Sequence, residues 1–267
     1  MDSQIIGLQN WFQTPPGRYL LEWERSQFDL AVADIFGYHA LQLGLPDLDA
    51  LQSNRMPHRW RATSRLQSPL ESRPGLATTA LVTDFAALPF SANSLDLVLL
   101  PHTLEFNVDP HATLREVERV LVPEGRVVIC GLNPASLWGL RQRRAHIYKR
   151  LGLGEAVFPQ SDEFTGELIG PRRLRDWLRL LSFEVESSRF GCYRPAVTTE
   201  RWLDRFDWMD RAGARWWPIF GAVYFLVAVK RIRGMRLVGS AWKAVGKRAG
   251  APVSVANRAH NRRFTDT

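Results

Sequence analysis

The stretch that decides the fold runs from Thr83 to Pro134 and reads TDFAALPFSANSLDLVLLPHTLEFNVDPHATLREVERVLVPEGRVVICGLNP. It predicts a strand over 79–85 that ends at an acid, a strand over Leu97–Leu100, and a helix with Asp109 as N-cap and a proline in its first turn. A turn then leads into a strand over Val127–Cys130. Strands that alternate with helices through short connections predict a mostly parallel sheet with helices on both faces.

Upstream of this stretch, the apolar spacing predicts helical structure over Ile5–Phe36, which Pro15-Pro16-Gly17 divides in two. The segment YHALQL, which ends at Leu43, is typical of a compact strand, and Arg59–Ser64 predicts the next strand. In open sheets of this kind, ligands bind beyond the carboxyl ends of the strands. We therefore expect the pocket to be formed by the loops that follow the strands.

Downstream, residues 135–165 interrupt the alternation and are interpreted as an insertion. The segments GPRRLRDWLRLLSF, EVESSRFG and TTERWLDRFDWMDRAGARWW predict a helix, a sixth strand and a helix. The apolar run Trp216–Val229 has 14 residues, fewer than the roughly 18–20 of a membrane-spanning helix. It predicts a seventh strand that is buried on both faces, in an antiparallel closing pair if the chain reverses there, and no transmembrane segment.

These elements predict an α/β fold with a doubly wound, mostly parallel seven-stranded sheet. We assign 1–36 to an N-terminal helical extension, 37–237 to the main domain and 238–267 to a basic, disordered tail. Ten Lys or Arg residues and one acid lie in Lys230–Thr267. This end therefore carries the excess of positive charge, since the whole chain has a formal charge of +8. A basic tail attracts phosphate groups, so weak contact with phosphates or nucleic acid is one reading, and a solubilising end is the other.

The two cysteines, Cys130 and Cys192, lie in no CxxC or Cys/His sequence cluster. Their spacing predicts a reducing compartment and no structural metal. The N-terminus, MDSQIIGLQNWF, lacks the basic region and apolar core of a signal peptide. A cytoplasmic location is therefore expected, and the sequence leaves the oligomeric state open.

The central stretch resembles the class I S-adenosylmethionine-dependent methyltransferases of the type 11-like group. The pieces that carry the resemblance are the acid that ends strand three, LPF, NSLDLV and LREVERVLVPEGRVVI. It implies a Rossmann-like fold, S-adenosylmethionine as cofactor, and Asp84 and Phe85 beside the adenine. A cap on the following turn is the alternative role for Asp84. The cofactor-binding residues that the resemblance implies are Gly44, Leu45, Asp84, Phe85, Leu88 and Pro101.

The loop after strand one departs from the family pattern of an acid followed by Gly-x-Gly-x-Gly. Laid over that pattern, Gln42 stands at the acid, Gly44 at the first glycine, and Pro46 and Leu48 at the other two. Proline has no N–H and a fixed φ, and leucine adds bulk near the expected ligand. The family acid that holds the ribose is also missing, because no Asp or Glu lies between Asp49 and Glu71.

Methyl transfer is an in-line displacement, and an acceptor that carries a proton must lose it. His102 follows strand four, with Glu105 one turn away, and its ordinary pKa suits proton acceptance. It is the candidate catalytic residue, with a structural role as the alternative. In RQRRAHIYKR, which begins at Arg141, the cations suit either a lid over an acidic substrate or a solvated helix face.

The sequence thus predicts a methyltransferase acting on an unidentified acceptor, with a small molecule as substrate. The alternative is a catalytically inactive methyltransferase fold that serves as a binding or scaffolding protein, which the altered loop would favour. A third hypothesis is an RNA-associated protein that uses its basic tail.

Overall fold

Seven strands form one sheet in a computed structural model that describes residues 11–64, 81–142, 168–197 and 199–231. The strand order is β3-β2-β1-β4-β5-β7-β6. The strands are β1 His39–Leu43, β2 His58–Thr63, β3 Leu81–Val82, β4 Leu95–Pro101, β5 Leu121–Leu132, β6 Phe183–Gly191 and β7 Val223–Lys230. Strands β1 to β5 are parallel, and β7 is antiparallel to both β5 and β6. The predicted doubly wound, mostly parallel sheet is confirmed, and so is the antiparallel close.

Helices cover both faces of this sheet. The helices described over their whole length are α1 Pro15–Val32, α2 Pro110–Val120, α3 Pro171–Leu180, α4 Glu200–Arg205 and α5 Trp208–Trp216. One core cluster contains Leu20, Phe28 and Val32 of α1, and the other contains apolar residues of α2 and α3. Since alternate side chains of a strand point to opposite faces, β4 and β5 contribute to both clusters. None of the described helices has the length and apolar character that a membrane crossing requires.

The predicted start of α2 is confirmed, because the Asp109 carboxylate accepts a hydrogen bond from the amide of Ala112 at 2.8 Å. Helix α1 begins in the same way, with Thr14 as N-cap and two prolines in the first turn. Its buried face packs against β7, where the rings of Phe28 and Phe225 meet edge to face with centroids 5.0 Å apart. Helix α1 is thus packed into the core.

The connection from β1 to β2, residues 44–57, contains turns and no helix. Leu45, Leu48, Leu51 and Met56 of this connection are buried in the α1-side cluster. These side chains cover the area of sheet that a crossover helix covers in a regular alternation of strands and helices. The strict alternation expected from the sequence therefore fails at this point.

Three further expectations need correction. The run Trp216–Val229 is a strand only from Val223, and its first half forms an exposed turn of 3₁₀ helix at Pro218–Phe220. The expected single helix before it is divided into α4 and α5. Within the described residues, strand β3 covers Leu81–Val82, and Thr83–Phe85, which were expected to continue it, lie outside the strand. Residues 143–165 of the expected insertion and the expected tail 238–267 lie outside the described residues, so the domain boundaries stay predictions.

Candidate active site

The carboxyl ends of β1, β3 and β4 meet at one edge of the sheet, around Gly44. This glycine has φ +74 and Leu45 has φ +37, so the chain turns sharply as β1 ends. The left-handed conformation at Gly44 favours glycine. A Cβ on Gly44 would lie 3.3 Å from Oγ1 of Thr103 and 3.8 Å from the ring of Phe85. The edge thus brings together the glycine, an aromatic ring and a hydroxyl from three different loops.

Gln42 holds the altered loop in place. Its buried amide nitrogen donates to the carbonyl oxygens of Leu48 at 2.7 Å, Leu45 at 3.2 Å and Gly44 at 3.3 Å. Its amide oxygen accepts from the backbone amide of Ala50 at 2.9 Å. A carboxylate cannot donate to carbonyl groups, whereas a carboxamide both donates and accepts. Glutamine at the family's acidic position is therefore suited to a loop built without further glycines.

The bulky side chain that replaces the third glycine does not stand at the site. Leu48 is fully buried in the α1-side cluster, whereas Phe85 belongs to the cluster on the opposite face. Pro46 is half-buried, as is Gly44 itself. The side chain of Leu48 thus fills the core beneath the loop and leaves the α-carbon of Gly44 open to Phe85 and Thr103.

The loop after β3 presents one polar and one apolar candidate. Asp84 is exposed, and its carboxylate accepts from the amide of Ala86 at 2.9 Å, which is the turn-capping role. Phe85 is buried beside Gly44. Leu88 is buried further along, and its amide donates to the carboxylate of Glu116 at 3.0 Å. Leu88 thus supports the loop from below.

The loop after β4 is tied to β1 by a residue that the sequence did not single out. Oγ1 of Thr103 donates to the carbonyl of Leu43 at 2.5 Å, and the carbonyl of Pro101 lies 3.3 Å from the same oxygen. Pro101 is buried as the last residue of β4. A hydroxyl after a buried strand was the only sequence signal for Thr103, and such residues are common in turns.

His102 follows Pro101 in the left-handed conformation, with φ +53. Its Nε2 lies 2.6 Å from Oε1 of Glu24 on α1, and its Nδ1 lies 2.9 Å from Oε2 of Glu105. The other oxygen of Glu105 accepts from the amide of Leu132. All three side chains are at least 98% buried. Both ring nitrogens are therefore engaged with carboxylates.

Burial alone would lower the pKa of His102, but the charge of Glu24 and the hydrogen bonds to Glu105 and Glu24 outweigh it and raise the pKa to about 10. The ring is then an imidazolium at neutral pH. Such a ring holds its proton and orders the loop. The assignment of His102 as the catalytic base stays a prediction.

Cys130 completes this group, although it is far from the other members in sequence. Its Sγ lies 3.4 Å from Oε1 of Glu24. Burial raises the pKa of the Cys130 thiol well above its ordinary value, and the nearby charge of Glu24 adds to this. The second oxygen of Glu24, Oε2, is buried and has no hydrogen-bond partner in the described part of the chain. We call Glu24, His102, Glu105 and Cys130 the buried cluster.

The missing ribose acid has no clear replacement at the end of β2. Arg61 of β2 stands in register with Gln42, and two of its buried guanidinium nitrogens have no hydrogen-bond partner among the described residues. Burial lowers the pKa of Arg61, while the charge of Asp49 acts in the opposite direction. Asp49 thus faces a cation. Residues 65–80, which follow β2, lie outside the described residues.

The predicted basic segment is described only at its beginning. Arg141 donates to the backbone carbonyl of Ala196 at 2.8 Å, so this cation is used for packing. The remaining cations of RQRRAHIYKR lie outside the described residues. A lid function for this segment stays a prediction.

Comparison with known proteins gives a consistent result. The family described as "Methyltransferase domain" matches residues 57–129. The uncharacterized protein YafS of Escherichia coli K12 is 29% identical over 187 residues, which cover 70% of each chain. The biotin biosynthesis bifunctional protein BioHC of Saccharophagus degradans is 29% identical over 139 residues, half of this chain and 24% of the relative.

Solved structures share the fold at low sequence identity. A SAM-dependent methyltransferase of Thermotoga maritima superimposes with a TM-score of 0.54 at 15% identity, covering 84% of this chain and 94% of that chain. One from Archaeoglobus fulgidus gives 0.53 at 17% identity, covering 79% and 94%. At this identity the likeness establishes the fold alone.

Proposed function

We propose that this chain is a class I S-adenosylmethionine-dependent methyltransferase that transfers the cofactor's methyl group to a small-molecule acceptor, and the methyltransferase-domain match over residues 57–129 supports this. The observation that carries the proposal is the junction of Gly44, Phe85 and Thr103 at the carboxyl ends of three parallel strands. Ligands of doubly wound sheets bind at this edge. The sheet order also places β1 and β4 side by side here.

The residues present fit the cofactor in chemical type. The exposed carboxylate of Asp84 is an acceptor for the adenine amine, and Phe85 offers an apolar surface. Gly44 lets a ligand approach the backbone, since Leu48 is turned into the core. Leu45 shapes the turn and is held by Gln42. Pro101, at the end of β4, and Leu88, in the loop after β3, are buried.

When bound, S-adenosylmethionine supplies an electrophilic methyl group on a sulfonium. The protein binds the acceptor in line with that group and excludes water. Since both nitrogens of His102 are paired with carboxylates, we assign His102 to positioning of the loop after β4. The acceptor atom is then one that is nucleophilic without a protein base, such as an amine or a thiolate.

Titration calorimetry with S-adenosylmethionine and with its demethylated product tests the proposal. We expect saturable binding to the wild type. Gly44→Val places two methyl groups against Thr103 and Phe85, and Asp84→Ala removes the carboxylate, so each should weaken binding at least tenfold. Gly170→Ala and Asp176→Ala are the matched controls, because Gly170 has room for a Cβ and Asp176 is exposed on α3.

Two outcomes would contradict the proposal. One is a folded wild type that releases no heat with either ligand, as the scaffold alternative requires. The other is an equal loss of binding in the controls. With binding established, transfer of a radiolabelled methyl group to small molecules extracted from cells identifies the acceptor class.

A further inference from the structure

We propose that the buried cluster is a binding site for a divalent transition metal, with Zn²⁺ as the best chemical match. The ligands are a carboxylate oxygen of Glu24, Nε2 of His102 and Sγ of Cys130. These three atoms all lie within 4.8 Å of one another, and the three residues are buried. The inference is independent of methyl transfer, because it rests on the cluster and not on the cofactor edge.

The donor set is the first argument. An imidazole nitrogen, a thiolate sulfur and a carboxylate oxygen are the ligands that proteins use for Zn²⁺, whereas Mg²⁺ and Ca²⁺ take oxygen ligands. A carboxylate of Glu105 on the other ring nitrogen, at 2.9 Å from Nδ1, is the outer arrangement that fixes a metal-binding histidine in one tautomer. Glu105 is itself fixed by the amide of Leu132.

The distances are the second argument. With bond lengths of about 2.3 Å for Zn–S and about 2.0 Å for Zn–O, the 3.4 Å between Sγ and Oε1 corresponds to an angle of about 105° at the metal. The 2.6 Å between Nε2 and Oε1 is a hydrogen bond in the metal-free form. It must open to about 3.3 Å for tetrahedral ligation, a movement of less than 1 Å.

The unpaired oxygen is the third argument. Oε2 of Glu24 is buried without a hydrogen-bond partner in the described part of the chain, which is costly for a carboxylate. A metal ion held by Oε1 would lie near Oε2 as well and would give this oxygen a partner. His102 adds a left-handed backbone, and a residue held in such a conformation requires support from its surroundings.

Metal binding displaces protons from its ligands. Binding of M²⁺ forms the M–N, M–S and M–O bonds and releases the Nε2 proton of the imidazolium and the Sγ proton of Cys130. The Nδ1 proton stays on the hydrogen bond to Glu105. The step needs no oxidant or reductant.

The full-length protein is tested by metal analysis. We expect one equivalent of zinc in protein purified without chelator from cells supplied with zinc. Because the cluster is buried, metal-free protein is made by unfolding in chelator, and refolding with Co²⁺ then gives a sulfur-to-cobalt charge-transfer band that Zn²⁺ abolishes. The other buried cysteine supplies the matched control, since Cys192→Ala leaves all three ligands in place.

Cys130→Ala should lose the band and at least nine-tenths of the metal, whereas Cys192→Ala should retain both. Glu105→Gln should weaken binding about 10- to 100-fold. Circular dichroism checks that each variant is folded. If Cys130→Ala does not fold, Glu24→Gln, which keeps a hydrogen-bonding side chain, replaces it. A folded wild type with neither stoichiometric metal nor the cobalt band overturns the inference, and so does equal metal in the two cysteine variants.

Discussion

Raising the pH from about 6 to about 8.5 should lower the free energy of unfolding of the metal-free protein by about 2 to 3 kcal/mol through the titration of His102 alone. The pKa of this residue rises from an ordinary 6.5 to about 10 in the folded chain. Between these values the folded state binds one more proton than the unfolded state, so stability falls as pH rises. The contribution is fully present below pH 6.5 and is lost as pH passes through 10.

The magnitude follows from the linkage of the two pKa values. The whole shift corresponds to about 5 kcal/mol, of which roughly half is lost by pH 8.5. The upper pH of about 8.5 is chosen to limit the ionisation of the cysteine thiols. Burial raises the pKa of Cys130 and of Cys192 above 9.0, and their ionisation in the unfolded chain adds a loss of the same sign at higher pH.

Urea unfolding of metal-free protein, refolded from chelator, at both pH values measures the effect as a shift of the midpoint at constant slope. His102→Gln should abolish the pH dependence, and His111→Gln, which changes an exposed histidine, should keep it. If His102→Gln does not fold, Glu24→Gln removes one of the two charges and should reduce the slope. Equal stability of the wild type at both pH values would refute the reasoning.

Two further changes test other buried polar groups by urea unfolding at neutral pH. Gln42→Leu should cost about 2–4 kcal/mol, because the carbonyls of Leu45 and Leu48 lose their donor in the core; an unchanged midpoint would contradict this role. Lys230→Met should cost a similar amount, since its buried ammonium donates to two carbonyls and an amide oxygen. The exposed Arg231→Met should cost less than about 1 kcal/mol, and a reversed order would be evidence against burial as the cause.

The sequence predicted the elements whose signals are local. The cap at Asp109, the apolar spacing of α2 and the continuous apolar strand β4 each depend on residues within one segment, and all three are in place. The predicted seventh strand was too long because an apolar run does not distinguish a buried strand from an exposed turn. The turn of 3₁₀ helix at Pro218–Phe220 delays the start of the strand to Val223, although the apolar run begins earlier.

The candidate site was predictable only in part, for a similar reason. Gly44, Asp84 and Phe85 follow strands and were implied by the family resemblance, and their role in binding a cofactor stays a prediction. Gln42 was interpreted as a loss of the family acid, because its hydrogen bonds to its own loop depend on a backbone path that no spacing specifies. The buried cluster joins residues of α1, the loop after β4, and β5, and Glu24 and Cys130 are 106 residues apart.

Helix α1 has a consequence for how the chain folds during synthesis. It leaves the ribosome before the strands of the sheet, and its partner Phe225 lies on β7, which follows all the other described strands in sequence. Until β7 emerges, the apolar face formed by Leu20, Phe28 and Val32 lacks part of the core against which it packs. Contacts this distant in sequence slow folding. A nascent chain that stops before β7 would expose this face to chaperones or to other chains, so premature termination is a greater hazard here than the length of the protein suggests.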